Sequence, residues 1–132
     1  MNILFLYSKA INPLTGGVER ITFLLADYLE SKGYKVFFLG LTDNNSLKDK
    51  RQFFLPDSSS FFSEENIVFF RSFLVEKSIS IVINKGGTDP ETSKLAFCCK
   101  TEGVKLISNV HNSLLGTIKN FSSVHKIKFK KR

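Results

Sequence analysis

The sequence predicts an α/β protein, a mostly parallel sheet covered by helices on both sides in a three-layer α/β/α sandwich. Short apolar runs rich in β-branched and aromatic residues alternate along the chain with helix-patterned segments. The central runs are apolar at successive positions, so both of their faces must be covered. Glycine, proline and capping residues stand at the joints. Together these features require parallel strands joined by right-handed helical crossovers.

Residues 2–8 read as a buried strand. In residues 17–32 the apolar positions Val18, Ile21, Leu25, Tyr28 and Leu29 make a helical stripe, with Gly33 as its stop. Residues 35–41 form a second apolar strand, and the polar stretch 42–51 a loop. A short strand over 52–55 precedes Pro56 and a serine run. Ser63, followed by Glu64 and Glu65, caps a helix that runs to about Lys77 and buries Ile67, Phe70, Phe73 and Leu74. Residues 79–84 are a β-branched strand and 85–88 a turn. Asp89 and Pro90 then supply a cap and a first-turn proline for a helix reaching about Glu102. The last strand covers 104–110 and ends at His111, Asn112 and Ser113.

A chain of 132 residues fits one domain with a real core, and 42% apolar residues with 14 phenylalanines supply it. No apolar run approaches the roughly 20 residues of a membrane span, and the first run is too short for a secretory signal. A cytoplasmic protein is expected. The formal charge of +7 is uneven: six basic and no acidic residues follow position 118, which leaves +1 for residues 1–118. The basicity therefore belongs to the tail 119–132, and nucleic-acid binding by the body is not expected. Cys98 and Cys99 are adjacent, outside any C-x-x-C pair and away from zinc spacing with the two histidines, so both are expected reduced with one facing the core.

In the usual doubly wound order the first strand is central and the fourth lies across the switch point from it, where ligands bind beyond the carboxyl ends. Gly16-Gly17 and residues 84–87 then flank one crevice, with His111 on the next strand end. The stretch Thr15-Gly16-Gly17-Val18-Glu19-Arg20 delivers two glycines to a helix start, where free N–H groups and the dipole favour an anion. Glycines at such a joint also serve simply to turn the chain. The segment lacks both G-x-G-x-x-G and the Gly-Lys-Ser/Thr of a P-loop, and residues 9–15 leave room for a second ligand.

The opening strand, the loop ending in Gly-Gly-Val-Glu-Arg, the amphipathic helix and the following Gly-Tyr-Lys-Val resemble the start of family 4 glycosyltransferases of the GT-B fold. The later run Leu106 to Asn112, with its histidine, is similar to that family's strand ending in histidine. The likeness spans nearly the whole chain but only the family's first half; the family's second Rossmann-like domain, with its two glutamates eight positions apart, has no counterpart here. The resemblance implies one half of a GT-B fold: an acceptor-side Rossmann-like domain over 1–118, with 119–132 as the start of a truncated element. It implies a retaining hexosyltransferase moving a sugar from a nucleotide-sugar donor to a glycan or lipid-linked acceptor, without a metal or other cofactor. The isolated chain would be inactive without its C-terminal partner domain.

By that resemblance Gly16 and Gly17 hold the donor diphosphate through backbone N–H groups, and His111 sits by the transferred sugar. A histidine at a strand's carboxyl end also suits acid, base or donor chemistry on its own, or a turn satisfied by backbone. Glu19 complements the helix dipole; Arg20 adds charge beside a diphosphate or pairs along the helix surface. Asn84, Lys85 and Asn112 are cleft candidates by position alone, and His125 is a solvated tail residue. The tail interleaves Lys126, Lys128 and Lys130 with Ile127 and Phe129, a pattern suited to peripheral contact with an anionic membrane, or to a solvated charge run. The rival reading is a stand-alone flavodoxin-like phosphate- or nucleotide-binding module with that membrane-associating tail. It would need a closing helix, for which residues 114–121 are short and polar. A phospho-receiver is disfavoured because no acidic cluster follows the first strand.

Overall fold

The computed structural model describes residues 1–42, 49–85 and 90–108. The elements are β1 (Asn2–Leu6), α1 (Gly17–Ser31), β2 (Lys35–Gly40), β3 (Gln52–Phe54), α2 (Glu64–Glu76), β4 (Ile79–Asn84), α3 (Pro90–Phe97) and β5 (Lys105–Ser108). A 3₁₀ segment, Cys98–Glu102, continues from α3. The sheet order is β3-β2-β1-β4-β5, and every pairing among the described residues is parallel. This is the expected α/β architecture, with the first strand central and the fourth across the switch point from it.

Alternation along β1 explains the layers. Ile3 and Phe5 pack with Leu25, Ala26 and Leu29 of α1, while Leu4 and Leu6 face Phe70, Phe73 and Leu74 of α2 and Leu95 of α3. All four β1 side chains are fully buried. Each such residue contributes about 1.5–3 kcal/mol when withdrawn from water, which makes this strand the spine of the fold. Phenylalanine supplies much of the second face: Phe73 lies edge-on to Phe37 and Phe53, with centroids 5.9 and 5.2 Å away.

The predicted helix ends follow their local chemistry. The Ser63 side chain accepts a hydrogen bond from Asn66 N, capping α2 as its sequence requires. Asn66 is itself fully buried; its amide accepts from Asp57 N and donates to the carbonyls of Asp57, Ser60 and Phe61, tying the preceding loop to α2. Gly33 stops α1 with a φ of 95°, in the left-handed region glycine favours. The helix predicted to reach Glu102 instead tightens at Cys98, where i→i+3 geometry carries the chain to β5. Cys99 is buried and Cys98 half-buried, and neither forms a disulfide among the described residues. Burial pushes the Cys99 thiol up to about 12 and raises Cys98 more modestly, so neither is a ready nucleophile. No described helix is long and apolar enough to cross a membrane.

Candidate functional site

The carboxyl edge of the sheet centres on the paired ends of β1 and β4. Leu6 pairs with Asn84 at the end of the register, and Lys85 N donates to Leu6 O at 2.8 Å, so pairing extends one residue past β4. Beyond β1 the chain crosses toward β2: Tyr7 N donates to Leu39 O, Leu41 N to Ser8 O, and Lys9 bridges Thr42. Gly40 permits this crossing, because a Cβ there would sit 3.0 Å from the Lys9 backbone. The loop then folds onto itself. Ile11 N donates to Gln52 Oε1, Leu14 N to Asn12 Oδ1, and both Thr15 N and Thr15 Oγ1 to Asn12 O. Ile11 and Asn12 are buried, which fixes the approach to α1.

At the start of α1, Gly16 occupies the N-cap position in extended backbone, and no side chain caps the helix. Arg20 N donates to Gly16 O at 3.0 Å and closes the first turn. The two glycines differ in their surroundings. A Cβ on Gly16 would lie 2.9 Å from Glu19 Oε1, so this glycine makes room for the protein's own carboxylate. A Cβ on Gly17 would meet nothing within 4 Å. Neither residue falls in the left-handed region, so nothing within the described fold demands a glycine at position 17.

Glu19 is 5% exposed, more enclosed than its reading as a surface dipole partner anticipates. Its charge reaches Tyr7, whose phenol is held above its ordinary value first by burial and then by that carboxylate. Thr22, one turn along α1, is fully buried with no partner for its hydroxyl among the described residues. Arg20 is exposed and forms no ion pair among the described residues, so the helix-surface pairing considered for it is not made.

At the end of β4, Asn84 is fully buried and Lys85 is 4% exposed. The Lys85 ammonium has no hydrogen-bond partner among the described residues, and burial alone lowers its value from 10.5 to about 8. His111, Asn112, the turn over 86–89 and the tail 119–132 lie outside the described residues. Of the residues predicted for the crevice, Gly16, Gly17, Glu19, Arg20, Asn84 and Lys85 are therefore placed at the carboxyl edge. Tyr7 and Thr22 were not anticipated. The signal for Tyr7 is a polar-tipped residue directly after an apolar strand; Thr22 carries none.

A second charged region lies near the other edge, where a groove of about 610 Å³ is lined by Asp27, Glu30, Lys35, Asp49, Lys50 and Arg51 among others. Arg51 is already engaged there. Its Nε and Nη2 grip both oxygens of Asp49 at 3.0 and 2.8 Å, while Nη1 meets Asp27 and Glu30 at 3.1 and 3.3 Å. Its guanidinium also lies 5.0 Å from the rings of Phe23 and Phe38. This knot joins α1 to β3 and leaves the Arg51 guanidinium fully engaged.

No protein-family model matches this sequence, and no curated protein matches it. Among solved structures, the chain is similar to a glycosyltransferase from Rickettsia africae ESF-5, with a TM-score of 0.59 and 20% identity over 83% of this chain. The matched region is 29% of that protein's length, so this chain spans less than a third of it. At this identity the likeness is one of fold: the α/β arrangement recurs in a domain of a larger protein.

Proposed function

We propose that this chain is the N-terminal, acceptor-side half of a retaining glycosyltransferase that moves a sugar from a nucleotide-diphosphate donor to a glycan or lipid-linked acceptor. The observation that carries this reading is the vacant space beside Gly17. No side chain caps this helix start, and a Cβ on Gly17 would meet no described atom within 4 Å, at the carboxyl edge where doubly wound sheets take their ligands. A glycine there lets a diphosphate approach the backbone, and the dipole of a 15-residue helix favours its charge. The fold shared with a glycosyltransferase and the Gly-Gly-Val-Glu-Arg motif support the same reading.

Gly16 and Gly17 bind the donor diphosphate through backbone N–H groups, while the Glu19 carboxylate fills the space beside Gly16. His111 acts beside the transferred sugar. A C-terminal Rossmann-like domain supplies the rest of the donor pocket, so the isolated chain is inactive. The reaction needs no metal, and the basic tail brings the protein to the cytoplasmic face of a membrane.

The test is transfer by the full-length enzyme. Gly17→Val places a branched side chain where the phosphate enters and should lower donor use by about a hundredfold. His111→Ala should reduce turnover more than donor affinity. Equal donor use by Gly17→Val would remove the helix start from the site. Nucleotide-diphosphate binding without any sugar transfer by the full-length protein would favour the stand-alone binding module.

A further inference from the structure

We propose that Lys85 is the binding residue for a second anionic group in the crevice, a phosphate or carboxylate carried by the ligand and separate from the phosphate held at the start of α1. This inference rests on the transferase reading and adds a recognition element to it.

Three features of the structure carry it. Lys85 is 4% exposed, yet its ammonium has no hydrogen-bond partner among the described residues. A buried charge without a counter-ion is among the most costly features a fold can retain, and structural cations are normally paired. The residue also stands at the carboxyl edge of the sheet, at the end of β4. Its backbone extends the β4–β1 pairing past Asn84, which sets it next to Tyr7 on the neighbouring strand. Finally, Glu19, the buried carboxylate of this edge among the described residues, is not its counter-ion: it acts on Tyr7, whereas the shift of Lys85 has burial as its cause. Among the described residues an acid thus lies on the α1 side and an unpaired cation on the β4 side.

An incoming anion supplies what the fold omits. A phosphate or carboxylate oxygen accepts from the three N–H groups of the ammonium in a site already stripped of water, where a charge-assisted hydrogen bond is strong. Two sources share this chemistry, the distal phosphate of the donor and an acidic group on the acceptor.

Probes titrated into the full-length protein distinguish them. Inorganic pyrophosphate represents the donor; glycerol 1-phosphate and glucuronate represent acidic acceptors. Lys85→Met and Lys85→Gln should weaken at least one probe by about tenfold or more, and Lys85→Arg should retain most of the affinity. Loss confined to pyrophosphate assigns Lys85 to the donor; loss confined to either of the others assigns it to the acceptor. In the wild-type protein carrying isotope-labelled lysine, the Lys85 ε-methylene resonance should shift with the recognised probe, a readout that survives any variant that fails to fold. Unchanged affinities in both neutral variants, or an unmoved resonance with all three probes, overturns the proposal. If Gly17→Val loses pyrophosphate while the Lys85 variants bind every probe normally, the Lys85 inference fails and the transferase reading stands. The reverse pattern leaves Lys85 in place and removes the helix start.

Discussion

Arg51 and Lys85 are both largely withdrawn from water, and the chain treats them in opposite ways. The Arg51 side chain, 14% exposed, is met by three carboxylates and two aromatic rings. Lys85 is more deeply enclosed, and no described side chain meets its ammonium. The first arrangement is complete as it stands and does the work of fastening α1 to β3. The second has no counterpart to this among the described residues. The contrast sets a cation satisfied within the described fold beside one that the described residues leave bare, which is the difference the proposal for Lys85 rests on.

Breaking the satisfied cation should have the largest effect. Arg51→Met strands Asp49, whose carboxyl is held below its ordinary value chiefly by the Arg51 hydrogen bond, and should cost about 3 kcal/mol in chemical denaturation. Anion binding at the opposite edge should be untouched. The same pairing gives an acid limb: because Asp49 is lowered in the folded state, its contribution is present above the ordinary value of 3.8 and is lost as pH falls through the folded one. In Arg51→Met this part of the acid dependence should disappear.

Removing the unsatisfied cation should do the opposite. Lys85→Met relieves a buried charge and should stabilise the protein by about 1 kcal/mol at neutral pH, read as a higher Tm. The wild-type value of about 8 lies below the 10.5 of free lysine, so between these values the unfolded chain holds the extra proton. Wild-type stability should therefore rise from about pH 8 to 10.5 and stay at its lower level below that window. A Lys85→Met profile with the same rise would assign it to another group.

The smallest effect sharpens the contrast between the two glycines. Gly17→Ala meets no atom within 4 Å and should stabilise the fold by about 0.5 kcal/mol while weakening pyrophosphate binding. Gly16→Ala must push aside the end of the Glu19 side chain, which is flexible, and should change stability little. Thermal unfolding beside calorimetric titration separates the two outcomes.

The layout of the sheet was legible because it rests on periodicity. Apolar residues at successive positions in 2–6 and 79–84 require burial on both faces, and the crossovers then dictate which strands are central. The helix start at Ser63 was legible from capping chemistry, and the helix from Gly17 from its apolar stripe. The tightening at Cys98 was not, because helical and 3₁₀ turns draw on the same residues and packing decides between them. Glu19 and Lys85 were placed at the right edge, but their burial was hidden: a charged residue reads as solvated until its neighbours in space are known. Arg51 was read as the end of a polar loop for the same reason, since Asp27 and Glu30 reach it from 24 and 21 positions away.

Calorimetric titration of the full-length protein and its Gly17→Val variant with nucleotide diphosphates tests the central claim most directly. Binding to the wild type, weakened by about tenfold or more in a variant that unfolds at the same temperature, is the result predicted from the open space beside the first helix. Equal affinity in the two proteins, or no nucleotide-diphosphate binding to the wild type, would contradict it.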